Sequence, residues 1–169
     1  MSNLRTTEPG IAIIKKWESL HDGDLTKIGL QPKMCPAGIW TVGWGHAIVY
    51  DGKFLKGEAN KALAYSLYPA MTIPEAEAIL RKDLPIPENQ VNALNLPFTQ
   101  NQFNALVSFV YNLGFAALLE STLLKVIRNR NGDIAAAFLM WNKATMNGVK
   151  VPLPGLTSRR TEEAKLYQS

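Results

Sequence analysis

Cys35-Pro36-Ala37-Gly38-Ile39-Trp40-Thr41-Val42-Gly43-Trp44-Gly45-His46 is the stretch on which the fold turns. Its aromatic and β-branched residues, broken by Gly43 and Gly45, predict a strand over 40–44 and a second over 47–50. Asp51-Gly52 is a hairpin signal, with Phe54 and Leu55 on the return strand. Together these make a small β-sheet. Upstream, Thr7-Glu8-Pro9 has the chemistry of a helix start: a capping side chain, an acid at the positive helix end and a proline in the first turn. Ile11, Ile14 and Trp17 then recur at three-residue spacing, which predicts a helix over 8–18 with Glu18 at its end. The intervening Ser19 to Pro36 is rich in Gly, Asp and Pro.

Downstream the pattern is helical. Helices are predicted over 58–68; over 72–84, opened by the capping box Thr72-Ile73-Pro74-Glu75; and over 88–94, after a break at Pro85 and Pro87. Thr99 caps a helix over 100–113 whose buried face is Phe103, Leu106, Val107, Val110 and Tyr111, with Gly114 as its stop. Short helices follow near 116–120, 122–130 and 133–143, then a turn at Asn147-Gly148 and a last helix over 157–167. One helix, a small sheet and a helical body make an α+β architecture. The expected organisation is one domain over 1–169, with a β-lobe near 19–57, a larger helical lobe near 72–169 plus the N-terminal helix, and a cleft between them.

The chain has 169 residues, enough to bury a real core. Its apolar content of 47% and charged content of 19% read as globular. No apolar run approaches the ~18 residues of a membrane span, and the first ten residues lack the apolar core of a secretory signal, so cytoplasmic accumulation is expected. One cysteine, Cys35, excludes an intrachain disulfide and a cysteine metal cluster; His21 and His46 lack helical ligand spacing, so no metal site is expected. The net charge of +4 is uneven. Residues 1–122 hold 10 Lys+Arg against 11 Asp+Glu, and residues 123–169 hold 8 against 3. A basic C-terminal third suggests an anionic partner — nucleic acid, membrane surface or acidic cell wall — or simply a solvated face.

No nucleophile elbow, phosphate loop or HExxH helix is present. What stands out is a carboxylate at a helix end followed by a Gly- and Trp-rich β segment. Alone, a glutamate at a helix end is an ordinary solvated residue. Its context changes that reading: Glu18, Cys35 and then Thr41 within Thr41-Val42-Gly43-Trp44-Gly45-His46 resemble the phage lysozyme family, glycoside hydrolase family 24, with its Glu, its Asp or Cys, and its Thr inside T-[IV]-G-x-G-H. The resemblance continues through Gln100 to Leu106, Ser108-Phe109 and Asn112-Leu113-Gly114. It covers Leu153 to Leu156, Arg159-Arg160, Glu163 and Leu166-Tyr167 at the C-terminal end. Two departures stand out. Sixteen residues separate Glu18 from Cys35 where the family has eight, and the second position is Cys rather than Asp. Either Cys35 serves there, which its spacing to Thr41 favours, or Asp22 or Asp24 of the insertion supplies a carboxylate. A free cysteine is also commonly just a small buried hydrophobe.

The resemblance implies a lysozyme-like fold and an endolysin that hydrolyses the β-1,4 bond between N-acetylmuramic acid and N-acetylglucosamine. Glu18 would be the general acid, in an inverting reaction whose two groups stand ~6.5–9.5 Å apart to admit water. A glutamate of ordinary pKa, about 4.3, would have to be held protonated by partial burial. Thr41 can both donate and accept, so it can orient that water; Cys35 is expected to position rather than abstract. Trp44, Asn112 and Arg159 are the expected substrate-binding residues. Trp44 offers an aromatic face for stacking, or else packs into the sheet. Arg159 either reaches Glu18 or is a solvated arginine. His46 is read as structural, paired with Asp83. No cofactor is implied. The expected partner is peptidoglycan glycan strands, with possible contact between the basic third and the anionic envelope, no nucleic acid, a monomeric state, and release from the host cytoplasm by a membrane-permeabilising partner. Two alternatives stay open: a lytic transglycosylase, and a non-catalytic wall-binding protein on a lysozyme fold.

Overall fold

The computed structural model describes residues 3–146 and 148–169. Among them the chain forms helices and small antiparallel sheets in two compact units. The first comprises the N-terminal residues through Trp17 together with Leu84–Ser169, and the second is Glu18–Asp83.

Helix α1 (Glu8–Glu18), in the first unit through Trp17, buries Gly10, Ile11 and Ile14. It ends because Ser19 turns left-handed, at φ 58°, a stop usually made by glycine. Residues 61–67 form α2 and 73–83 form α3, both in the second unit. Helix α4 (Pro85–Asn92) starts where a break was predicted. Pro85 and Pro87 occupy its first turn, where proline's missing N–H costs nothing and its fixed φ suits a helix start. Helix α5 (Gln100–Leu113) begins at the predicted Thr99, whose hydroxyl accepts the Gln102 N–H while the Gln102 side chain accepts the Thr99 N–H. Every residue from Phe103 to Val110 is buried. A helix buried all round must be wrapped by neighbours. α4, α6 (Phe115–Glu120) and α9 (Pro154–Gln168) supply that cover, and α7 (Thr122–Asn129) and α8 (Ile134–Leu139) complete the unit.

Two boundaries near the C-terminal end differ from the sequence reading. The helix expected over 133–143 stops at Leu139, and a hairpin follows, pairing Lys143–Met146 with Val149–Pro152. The Asn147-Gly148 signal therefore joins two strands. Asn147 lies outside the described residues, and Gly148 takes the positive φ of 80° that such a connection uses. The last helix starts at Pro154 rather than 157, again with proline in its first turn.

α9 carries an unusual interior. Arg159 and Arg160 are 3% and 0% exposed, and Glu163 is 0% exposed. Arg159 Nε donates to Glu163 Oε1 at 3.1 Å, Arg160 Nε lies 3.1 Å from Oε2, and the Ser108 hydroxyl donates to Oε1 at 2.7 Å. Arg160 Nη2 donates to Asn112 Oδ1 at 2.8 Å, and its guanidinium sits 5.0 Å over the Phe109 ring. Burial pushes the Glu163 carboxyl up, against the opposing pull of Arg160 and Arg159.

The second unit holds the sheet. Strand β1 (Lys33–Met34) pairs antiparallel with β2 (Trp40–Val42), and β2 with β3 (His46–Ala47). A separate two-residue hairpin, β4 (Val49–Tyr50) with β5 (Lys53–Phe54), turns at Asp51-Gly52 as predicted. This compact unit extends past the expected limit of 57 because α3 packs on β3 and Leu30 forms a two-way main-chain bridge with Met71, at 2.7 and 3.0 Å.

Removing one member of a buried charge cluster strands the others, at a cost of about 3–5 kcal/mol. Glu163→Ala therefore lowers Tm by on the order of 10 °C in a calorimetric scan. A shift under about 2 °C would contradict the assigned role.

Candidate active site

The β1–β2 register explains the spacing of Cys35 and Thr41. Lys33 faces Thr41 and Met34 faces Trp40 across the pair. Directly opposed residues share a face, and alternate residues along a strand return to it. Extending the pairing one step places Cys35 opposite Ile39, with the Cys35 N–H donating to the Ile39 carbonyl at 2.8 Å. Cys35 and Thr41 thus belong to one face, joined by a tight turn in which Gly38, at φ 75°, donates to the Cys35 carbonyl. Cys35 is a half-buried free thiol. Thr41 is 6% exposed, and its hydroxyl lies 2.9 Å from the Lys33 carbonyl and 2.9 Å from His21 Nδ1.

Glu18 is the half-buried last residue of α1. Gly45 comes close to it: a Cβ added there would stand 3.1 Å from Glu18 Oε2. Gly43 likewise admits Ala76 of α3 to 3.2 Å from its missing Cβ. Both glycines have positive φ, 55° at Gly43 and 82° at Gly45. Trp44, between them, is 8% exposed and packed inward.

His21 follows the carboxylate by three residues. Its N–H donates to the Gly43 carbonyl at 2.8 Å, and its ring lies close enough to Glu18 to feel that residue's carbonyl and charge. Burial first, then the nearby Lys33, hold the His21 imidazole below its ordinary value, against the Glu18 carbonyl and charge. The sequence reading considered His21 only as a metal ligand. The missed signal was its place at the start of the insertion, one strand pairing away from Thr41.

The rest of the insertion closes on itself. Asp22 Oδ1 accepts from the N–H groups of Asp24 and Gln31, at 3.1 and 3.2 Å. Asp24 Oδ1 accepts from the Thr26 hydroxyl and N–H, which hold its carboxyl below the usual range. Both aspartates are thus engaged in organising the loop. Leu25 and Ile28, near its tip, are 86% and 94% exposed.

His46 is on the opposite face of β2–β3 from Thr41, through its pairing with Val42. Its Nδ1 meets Asp83 Oδ2 at 2.9 Å, so the predicted pair forms and ties β3 to the end of α3. A carboxylate accepts only, so Nδ1 carries the proton. Asn112 and Arg159 belong to the interior cluster of the first unit: Asn112 accepts from Arg160, and Arg159 donates to Glu163 and to the Ser108 carbonyl. Of the basic C-terminal third, Lys125, Arg128, Arg130, Lys143, Lys150 and Lys165 are exposed. A hollow of about 430 Å³ beside Leu4, Asn92, Pro97 and Phe98 is lined without any titratable side chain. Among the described residues, no group of three or more His, Cys, Asp or Glu is arranged to hold a metal ion, and no helix is long and apolar enough to cross a membrane.

A family model for phage lysozyme matches residues 25–163, most of the chain and both Cys35 and Thr41. The chain belongs to the phage lysozyme family. An endolysin of Acyrthosiphon pisum secondary endosymbiont phage 1 is 35% identical to this family member over 98% of its chain and 99% of the relative, an alignment long enough to take in Glu18 as well. The endolysin of Escherichia coli O157:H7 phage FAHEc1 superposes with a TM-score of 0.74 at 34% identity, covering 98% of this chain and 94% of that one. The muramidase domain of SpmX from Asticaccaulis excentricus superposes at 0.75 with 31% identity, covering 98% of each. The fold is thus the lysozyme fold, of mixed helix and small antiparallel sheets.

Two measurements probe this arrangement of Gly45, Glu18 and His21. A side chain at a left-handed position costs about 1–2 kcal/mol. Gly52→Ala, with nothing within 4 Å of the new Cβ, shows that backbone cost alone. Gly45→Ala adds a collision with Glu18, so it loses lytic activity that Gly52→Ala keeps, measured by clearing of cell-wall suspensions. The second concerns pH. The unfolded chain protonates His21 near 6.5, above the folded value, so its contribution is complete above 6.5 and is lost as pH falls through that point toward the folded value. In urea titrations at pH 7.5 and 5.0, the wild type loses more stability than His21→Asn; equal losses would refute the assignment.

Proposed function

We propose that the chain is an endolysin that hydrolyses the β-1,4 bond between N-acetylmuramic acid and N-acetylglucosamine, with Glu18 as general acid and Thr41 and Cys35 positioning the water. The observation that carries this reading is the register of β1 and β2, which puts the Cys35 and Thr41 side chains on one face. Membership of the phage lysozyme family supports the same reaction class.

Breaking a glycosidic bond needs a proton for the leaving oxygen and an oriented water on the opposite face of the sugar. Glu18 supplies the proton. Gly45 leaves room for its carboxyl to lie against main chain. Thr41 is held by two partners, Lys33 and His21, so its oxygen is fixed before substrate arrives. Such preorganisation removes the cost of ordering the group at the moment of reaction. Cys35 completes the water site as a small polarisable neighbour. Asp22 and Asp24, engaged in closing their own loop, leave that place to Cys35.

General acid catalysis is worth about 10²–10⁴ in rate. Glu18→Gln therefore clears chloroform-treated cells at least ~100-fold more slowly than the native chain, with unchanged circular dichroism, and Cys35→Ala is slowed less, by roughly 10-fold. Equal clearing by Glu18→Gln would remove the catalytic reading and leave a wall-binding protein. Mass spectrometry of the products gives reducing N-acetylmuramic ends; 1,6-anhydro ends would make the enzyme a lytic transglycosylase instead.

A further inference from the structure

Thr41 has one hydroxyl proton and two neighbours competing for it. The Lys33 carbonyl, 2.9 Å away, only accepts. His21 Nδ1, also 2.9 Å away, accepts or donates according to its tautomer. If the hydroxyl donates to Lys33, Nδ1–H donates to Thr41. If the hydroxyl donates to Nδ1, the ring proton is on the other nitrogen. In both arrangements the Thr41 proton is consumed inside the protein. To a third group Thr41 then offers only an oxygen lone pair.

That restriction has a chemical result. A water that donates one O–H to Thr41 has its own lone pair free to point at the anomeric carbon. A Thr41 hydroxyl free to rotate would at times donate to the water instead, drawing electron density from the oxygen that must attack. His21 is well built for this duty. Its main chain is pinned to Gly43, two residues beyond Thr41, and its Nδ1 stands 2.9 Å from the Thr41 hydroxyl. The backbone pairing fixes where the ring stands, and the ring in turn fixes the residue that orients the water.

We propose that His21 is a positioning residue that, through Nδ1, fixes the Thr41 hydroxyl as hydrogen-bond acceptor for the attacking water. The proposal rests on the hydrolase reading above. The test uses the full chain and purified peptidoglycan glycan strands, with kcat and KM taken from release of reducing ends. His21→Asn places an amide near the Nδ1 position, while His21→Gln places it near Nε2. The expected outcome is kcat within about 3-fold of wild type for His21→Asn and lowered at least ~10-fold for His21→Gln and His21→Ala, with KM within about 2-fold throughout, the pattern of an interaction made in the transition state. Should His21→Ala fail to fold, the Asn and Gln pair decides alone. Equal kcat for those two, or a change confined to KM, overturns the proposal. Glu18→Gln run beside them separates the two claims: if it stays active the hydrolase reading fails, and if it is dead while His21→Asn and His21→Gln match, only the role of His21 fails.

Discussion

Main chain reaching side chain without a Cβ between them is the constraint on which this site depends. At Gly45 the backbone comes so close to the Glu18 carboxyl that one added carbon would stand 3.1 Å from Oε2, and at Gly43 it comes as close to Ala76. Both positions also need a left-handed φ. Glycine meets both demands at once, and the turn from β2 to β3 can therefore bend around Trp44 while Gly43 pairs with His21 and Val42 with His46. Every placement in the site follows from that bend: Thr41 on one face beside His21, His46 on the other against Asp83, and Glu18 at the glycine edge.

The two units solve the problem of buried charge differently. In the first, two arginines share one glutamate with essentially no solvent exposure, an arrangement whose members cannot be removed singly. In the second, the His46–Asp83 pair is about one quarter exposed on each side, so it acts as a fastener between β3 and α3 more than as a store of energy. The C-terminal third is basic in sequence, yet Arg159 and Arg160 spend their charge inward on Glu163. The surface of that region is correspondingly less positive than its composition suggests.

Much of the fold was legible because local chemistry and tertiary packing agree. The helices over 8–18 and 100–113 carry caps, stripes and stops that point the same way, and both have the predicted ends. Proline's effect depends on position: Pro85, which reads as a break, starts a helix, and Pro154 starts the last helix three residues before the predicted 157. The hairpin over 143–152 was missed because its strands are short and exposed, leaving only the Asn147-Gly148 signal. In the site, Glu18, Cys35 and Thr41 could be picked out by pattern. His21 could not, since its partner lies twenty residues away and is reached through a strand bridge that no local spacing encodes.

The loop that begins at Asp22 ends at Gln31, where its two stems are hydrogen-bonded to each other. Its outward ties are the Leu30–Met71 bridge and Lys27 over the Tyr65 ring, and closing a longer circuit between fixed stems costs only slowly more entropy. Changes of length are therefore most easily absorbed at its greasy tip, Leu25 and Ile28, with the pairing of β1 and β2 left undisturbed. The doubled distance between Glu18 and Cys35 along the chain is thus taken up by a detour rather than by the strands that follow it.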